Sequence, residues 1–361
     1  MKKTIYAALA AAMSVGAAHA QSNVTMYGII DAAVEYYNNA DAAGNSLTRM
    51  PSLGGGMFPS RLGFRGTEDL GGGLKAIFQL ENGFAPDTGT LGQNRLFGRQ
   101  AWGGLQGNWG QVTFGRNYNM LNISTYDVDI IGPSQYGLGS LDSFIPNGRS
   151  DNSVAYRGTF SGVTVGGTYS LGRDTSAAGG PAGTGCAGES ATDAIACREW
   201  SALLRYDAPG YALISAYDRI YGGVGAANGL NSSDKTDSRA HVAFFLKQND
   251  WKLGVGIINR NNEGSATQPR SNLVYIGTAY NVTPFFTLDG QIAKLDYRAT
   301  NNDSAQVLIR GVYNLSKRSA FYVAAGRINN SGTAAVALSA GGSVGAGLNQ
   351  TGIITGIKHT F

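Results

Sequence analysis

From Asn23 onward, apolar and polar residues alternate with a period of two in short stretches. That spacing predicts strands with two unlike faces. Asn23 to Tyr36 is the first such stretch. In Ser60 to Glu68, Leu62 and Phe64 share one face, and Arg61, Arg65 and Thr67 share the other. From Leu74 to Gly83, Leu74, Ala76, Phe78 and Leu80 oppose Lys75, Gln79 and Glu81. Gly162 to Gly172 and Trp251 to Ile258 repeat the pattern. The connections are of two kinds. Seven are tight and carry Gly, Pro, Asn or Asp where turns require them, as in Gly107-Asn108-Trp109-Gly110 and Asp207-Ala208-Pro209-Gly210. Eight are mostly longer and polar, centred near Asn45, Thr88, Pro133, Gly180, Gly225, Gly264, Asn301 and Gly341. The two kinds alternate without a break, so the chain predicts sixteen strands with short turns at one end and long loops at the other.

One-sided loop lengths on an even number of two-faced strands are the signature of a transmembrane β-barrel. A closed barrel is also the one sheet that satisfies every backbone polar group in hydrocarbon. The fold class expected is therefore all-β, a 16-stranded antiparallel transmembrane barrel over residues 21–361. A soluble propeller would leave the apolar outer faces without a partner. Trp109, Tyr211, Trp251 and Phe285 lie beside tight turns and predict an interfacial girdle there. The C-terminal stretch runs as a strand to Phe361, as closure onto the first strand requires.

Composition agrees. The chain has 53 Gly and 18 Tyr against 9 Pro, and only 14% of residues are charged. Beyond the leader, no apolar run reaches eighteen residues, which excludes a helical membrane protein. Residues 1–20 read as a secretory signal peptide: Lys2 and Lys3, a short apolar run from Ile5 to Val15, then Ala18-His19-Ala20 before Gln21. Its removal takes two Lys from a formal net charge of +4, and the small remainder gives no sign of nucleic-acid binding. Cys186 and Cys197 are the only cysteines. An exported chain enters an oxidising compartment, so the pair is expected to form one disulfide. A zinc site would need four ligands, and no His lies near. No cofactor is expected.

The longest stretch without strand character is Asn117 to Arg149. Leu121, Ile123, Tyr126, Ile130, Ile131, Tyr136, Leu138, Leu141, Phe144 and Ile145 give it apolar anchors, which argues against disorder. It carries Asp127, Asp129 and Asp142. Such an insert in a barrel predicts a loop folded into the lumen, narrowing a water-filled pore. Asp142 either braces the loop or faces the pore.

Enzymatic function has little footing. Outside the leader only His241 and His359 remain, and neither stands near a nucleophile motif such as G-x-S-x-G. Adhesion or a purely structural role would be compatible with the long loops.

The segments SNVTMYGIIDAAVEYY, SRLGFRGTEDLGGGLKAIFQLENGF, FGRQAWGGLQGNWGQVTFGRNY, NSVAYRGTFSGVTVGGTYSLG and the terminal GIKHTF resemble the general diffusion porins of Gram-negative outer membranes, in the form common in beta-proteobacteria. The resemblance implies a homotrimer of sixteen-stranded barrels in the outer-membrane lipid. It also implies that the third long loop forms the constriction, facing a basic ladder on the wall. It maps the ladder to Arg61, Arg65, Arg99 and Arg149 and one acidic loop position to Asp129; the loop side opposite the ladder also offers Asp127, Ser134 and Gln135. The position after the loop's proline, often acidic in enterobacterial relatives, is Ser134 here. The expected function is passive diffusion of ions and small hydrophilic solutes with a weak anion preference. The alternative is a selective channel for phosphate, dicarboxylates or other anions.

Overall fold

The protein is described by a computed structural model over residues 23–51, 55–174, 185–298 and 300–361. The expected leader lies outside these residues, as does the centre of the fourth long loop at Gly180. Sixteen long antiparallel strands run from Asn23–Tyr37 to Gln350–Thr360, with a three-residue strand, Leu47–Arg49, added beside the first. Each strand pairs with its neighbours in sequence. The last closes on the first through nine register pairs, from Ile29 with Thr360 to Tyr37 with Gly352. Phe361 exchanges backbone hydrogen bonds with Gly28 at 3.0 Å in both directions.

The boundaries follow the alternation closely. Leu74–Gly83 is a strand as expected; Asn23–Tyr37, Arg61–Gly71 and Trp251–Asn262 run one to four residues past the expected C-terminal limits, and Val163–Ser170 stops short of its expected limits at both ends. Seven connections are short; the other eight include the long loops 38–60, 119–148 and 331–349. Two-faced strands produce a two-faced wall. Leu105, Phe114, Val154, Leu204, Leu213, Val242, Ile276, Ile292, Val307 and Ile353 all lie exposed on the outer face. A soluble protein rarely shows so continuous an apolar surface, whereas a lipid-facing barrel requires it. At the turn end, Trp251 stacks on Tyr280 at 4.4 Å between ring centroids, and Tyr211 lies 6.1 Å from Phe244, forming the expected girdle. Cys186 and Cys197 are joined as a disulfide, with Cα atoms 5.2 Å apart.

The buried core lies inside the barrel. Leu121, Val128, Ile131, Tyr136, Leu138, Phe144 and Ile145 of the third loop pack on inward residues such as Ile214, Ile258, Leu273 and Leu308. A barrel this wide would otherwise hold only water on its inner face. The loop's apolar residues therefore decide where it lies.

The candidate pore constriction

The third loop leaves the wall after Tyr118 and returns at Arg149. It is less irregular than its sequence implies, because three helical turns, Met120–Ser124, Leu138–Leu141 and Phe144–Asn147, break it up. Asn119 caps the first of these by accepting the Asn122 N–H at 2.9 Å. Its amide also donates to the buried carboxylates of Glu199 and Asp218, at 2.8 and 2.9 Å. The outgoing limb then follows the wall of the later strands. Ser124 meets His241 Nδ1 at 2.7 Å, and His241 Nε2 meets the Tyr275 hydroxyl at 2.7 Å. Arg310 donates to the Ile131 carbonyl at 2.8 Å. On the return limb, Ser140 accepts from Gln306, and Asp142 accepts from Arg239 Nε at 2.7 Å. Arg239 also lies 4.3 Å above the Phe144 ring. Asp142 is thus a brace.

Inward glycines let the backbone come this close. A Cβ on Gly254 would stand 2.3 Å from the Val128 carbonyl oxygen and 2.8 Å from its Cα. Gly277 and Gly352 instead make room for side chains, those of Ile130 and Tyr136. Both Val128 atoms at Gly254 belong to the main chain, so neither can rotate away. Gly254→Val is expected to push the outgoing limb into the lumen and lower single-channel conductance, with the barrel still heat-modifiable on gels. A wild-type conductance in that variant would show that the limb does not depend on this contact.

The tip is held from both sides. Gln135 N–H donates to the Gly56 carbonyl at 3.2 Å, and Gln135 Nε2 donates to Ser339 Oγ at 2.9 Å and to the Ala340 carbonyl. Segment 55–60 is itself fixed by Asp31, whose carboxylate accepts the N–H groups of Gly56, Met57 and Phe58 at 2.9–3.0 Å. Ser134 closes a local contact by donating to the Tyr136 carbonyl.

Because the loop hugs the later strands, the open side of the lumen lies against the earlier ones. A cavity of about 330 Å³ at the loop end is lined by Arg49, Arg99 and Arg149 on one side and by Pro133, Ser134, Gln135, Pro146 and Asn147 on the other. Arg99 holds Glu81 at 2.7 Å, and Arg49 holds Glu35 at 2.6 Å. Arg149 instead donates to the Arg99 carbonyl, the Asn147 side chain and the Tyr118 hydroxyl, at 3.1, 3.3 and 2.9 Å. Its guanidinium lies 4.6 Å from the Tyr118 ring centroid. Among the described residues neither Arg149 nor Arg61 has a carboxylate in ion-pair contact. Arg65 lies over the Tyr27 ring at 5.4 Å, further toward the turn end.

The loop's acids sit elsewhere. Asp129 is buried; it accepts from Gln291 at 2.8 Å and from the Gly132 N–H at 3.2 Å. Burial pushes its carboxyl above the usual range. Asp127 is partly exposed and pairs with Arg205, which also holds Asp207 at 2.6 Å. The sequence reading missed the wall anchors Arg239, His241, Gln291 and Arg310. Their signal was available: each falls at an inward position on a strand, where a solvated side chain and a loop anchor look alike.

Residues 7–333 match the family model described as Gram-negative porin. The chain is 32% identical to outer membrane porin protein 32 of Delftia acidovorans, with 100% of both chains covered. It is 26% identical to a major outer membrane protein P.IB of Neisseria gonorrhoeae, covering 90% of this chain and 93% of that one. The solved anion-selective porin from Comamonas acidovorans superposes with a TM-score of 0.76 at 26% identity, covering 94% of this chain and 100% of that one. With the barrel, its lipid-facing surface and these likenesses together, the chain belongs to the Gram-negative porin family and is an outer-membrane channel for passive diffusion of ions and small hydrophilic solutes.

Proposed function

We propose that this porin prefers anions, and that the preference is set where Arg61, Arg99 and Arg149 face the tip of the third loop. The observation that carries this reading is the charge imbalance across the gap. With Arg61 beside Arg99, the four guanidinium groups of Arg49, Arg61, Arg99 and Arg149 answer to two nearby carboxylates, Glu35 and Glu81, while the facing tip presents Pro133, Ser134 and Gln135. A fixed positive excess at the narrowest water-filled point lowers the energy of a passing anion and raises that of a cation. Asp129 does not offset it, since its carboxylate is turned into the wall. Asp127 lies with Arg205 and Asp207, away from the tip. Arg65 extends the basic strip toward the turn end and guides anions along it. That the Comamonas acidovorans porin is described as anion-selective supports the same sign. Assembly as a homotrimer is part of the proposal and rests on the family likeness.

The test is the zero-current potential of the purified protein in a planar bilayer under a KCl gradient. Chloride-favouring reversal is expected. A reversal near zero or on the potassium side would remove the proposal while leaving the porin channel intact.

A further inference from the structure

We propose that Arg198 and Arg219 form a site on the outer surface of the barrel that binds the phosphate of a lipid headgroup in the surrounding leaflet. The inference rests on the outer-membrane placement and is independent of the anion preference of the pore. Arg219 lies near the loop end of the strand Tyr211–Tyr221 and faces outward, in step with Tyr211 and Leu213. Its register partner on the adjacent strand is Trp200. Arg198 immediately precedes that strand, and its carbonyl accepts the Tyr221 N–H at 2.8 Å. The two arginines are therefore diagonal neighbours on one face, about 7–8 Å apart at the backbone. Two arms of that length can bracket one phosphate.

Their surroundings fit a lipid better than a free ion. Trp200 and Tyr217 stack with centroids 5.0 Å apart. Arg219 lies 5.3 Å above the Tyr221 ring; Arg198 lies 5.6 Å from the Tyr169 ring and donates to its hydroxyl. Amphipathic rings of this kind settle at the headgroup level of a membrane. Below them, toward mid-membrane, Leu204 and Leu213 are exposed and offer a track for acyl chains. The disulfide adds rigidity, since Cys197 directly precedes Arg198 and its N–H donates to the Gly222 carbonyl at 2.8 Å.

The charge is uncompensated. Among the described residues neither arginine meets a carboxylate, and the Nε of each is buried without an acceptor. Elsewhere on the outer face, Lys294 is held by Asp296 and Asp303 at 3.1 and 3.2 Å. Most inward arginines likewise hold an acid, as Arg239 and Arg310 do. An outward pair of guanidinium forks without acids suits a multiply charged oxyanion, which they can grip through paired N–H donors.

The experiment is native mass spectrometry of the folded full-length protein with bis-phosphorylated lipid A as the probe. Dephosphorylated lipid A and inorganic phosphate serve as comparison ligands. The double variant Arg198→Gln with Arg219→Gln is expected to retain at least about tenfold less phosphorylated lipid, the loss of two charge-assisted contacts. Arg327→Gln, elsewhere on the outer face, is expected to retain it fully. Heat-modifiability and KCl conductance check that each variant is folded. If the double variant does not fold, Arg219→Lys takes its place, with partial loss expected because the charge stays and the fork goes. Equal retention by the variants, equal retention of dephosphorylated lipid, or displacement by millimolar phosphate would each overturn the lipid site.

Discussion

Replacing Arg239 with alanine is expected to turn a steady open-channel current into a noisy one with frequent substates. The Arg239 side chain is only 2% exposed and ties Asp142 of the return limb to the wall. It also holds Asp237, but Arg260 reaches that carboxylate as well, at 2.8 Å. Removal of Arg239 therefore strands Asp142 far more than Asp237. Breaking a buried pair from one side costs about 3–5 kcal/mol. That exceeds what the neighbouring Ser140–Gln306 hydrogen bond returns, roughly 1 kcal/mol. The barrel itself keeps its strand pairing, so the loss falls on the loop. Asp142→Asn removes the charge but keeps an acceptor, and a milder disturbance is expected. Single-channel recording distinguishes the cases, and a quiet wild-type trace from Arg239→Ala would show that the other anchors suffice.

Acid should weaken the same brace. Burial pushes the Asp142 carboxyl up, but the Arg239 and Arg260 guanidinium groups outweigh burial and hold it below the usual range. A depressed folded value means the brace contributes fully above the ordinary Asp value of about 3.9 and is lost as pH falls through the lower folded one. The added noise is thus expected only below about pH 4.

The barrel was legible because its constraint is periodic. Lipid outside and water inside force alternation on every strand, and a two-residue turn such as Pro209-Gly210 leaves a local trace. The third loop was legible as an interruption, and its apolar residues gave its fate. Its path was not legible, because it depends on contacts between residues far apart in sequence. Asp129 and Asp142 look alike in the chain. One is turned into the wall by Gln291, the other is bound by Arg239. Gly254 reads as an ordinary strand glycine until Val128 lies against it. Ser124 with His241 has the outline of a nucleophile and its base. Tyr275 stands where an orienting carboxylate would be needed, and the set is buried beneath the loop as a fastening. The protein is a channel and not an enzyme.

The second large effect is expected from the charge of the aperture. Arg61 and Arg149 can be neutralised without breaking an ion pair, whereas removing Arg99 would leave the buried Glu81 with the Tyr27 hydroxyl and no paired guanidinium. In water each charge about 4 Å away changes the energy of a passing ion by about 1 kcal/mol, with opposite sign for anion and cation, so the permeability ratio is expected to change by at least about fivefold. Screening should shrink the effect as salt rises toward molar concentrations, where the Debye length falls to about 3 Å.

The most direct measurement is the reversal potential of Arg61→Gln with Arg149→Gln beside the wild type, in one KCl gradient at low mean salt. Chloride-favouring reversal is expected in the wild type and a shift toward potassium in the variant, with conductance still stable. Identical reversal potentials in two stable channels would contradict this expectation, because the arginines at the loop tip would then set no field in the pore.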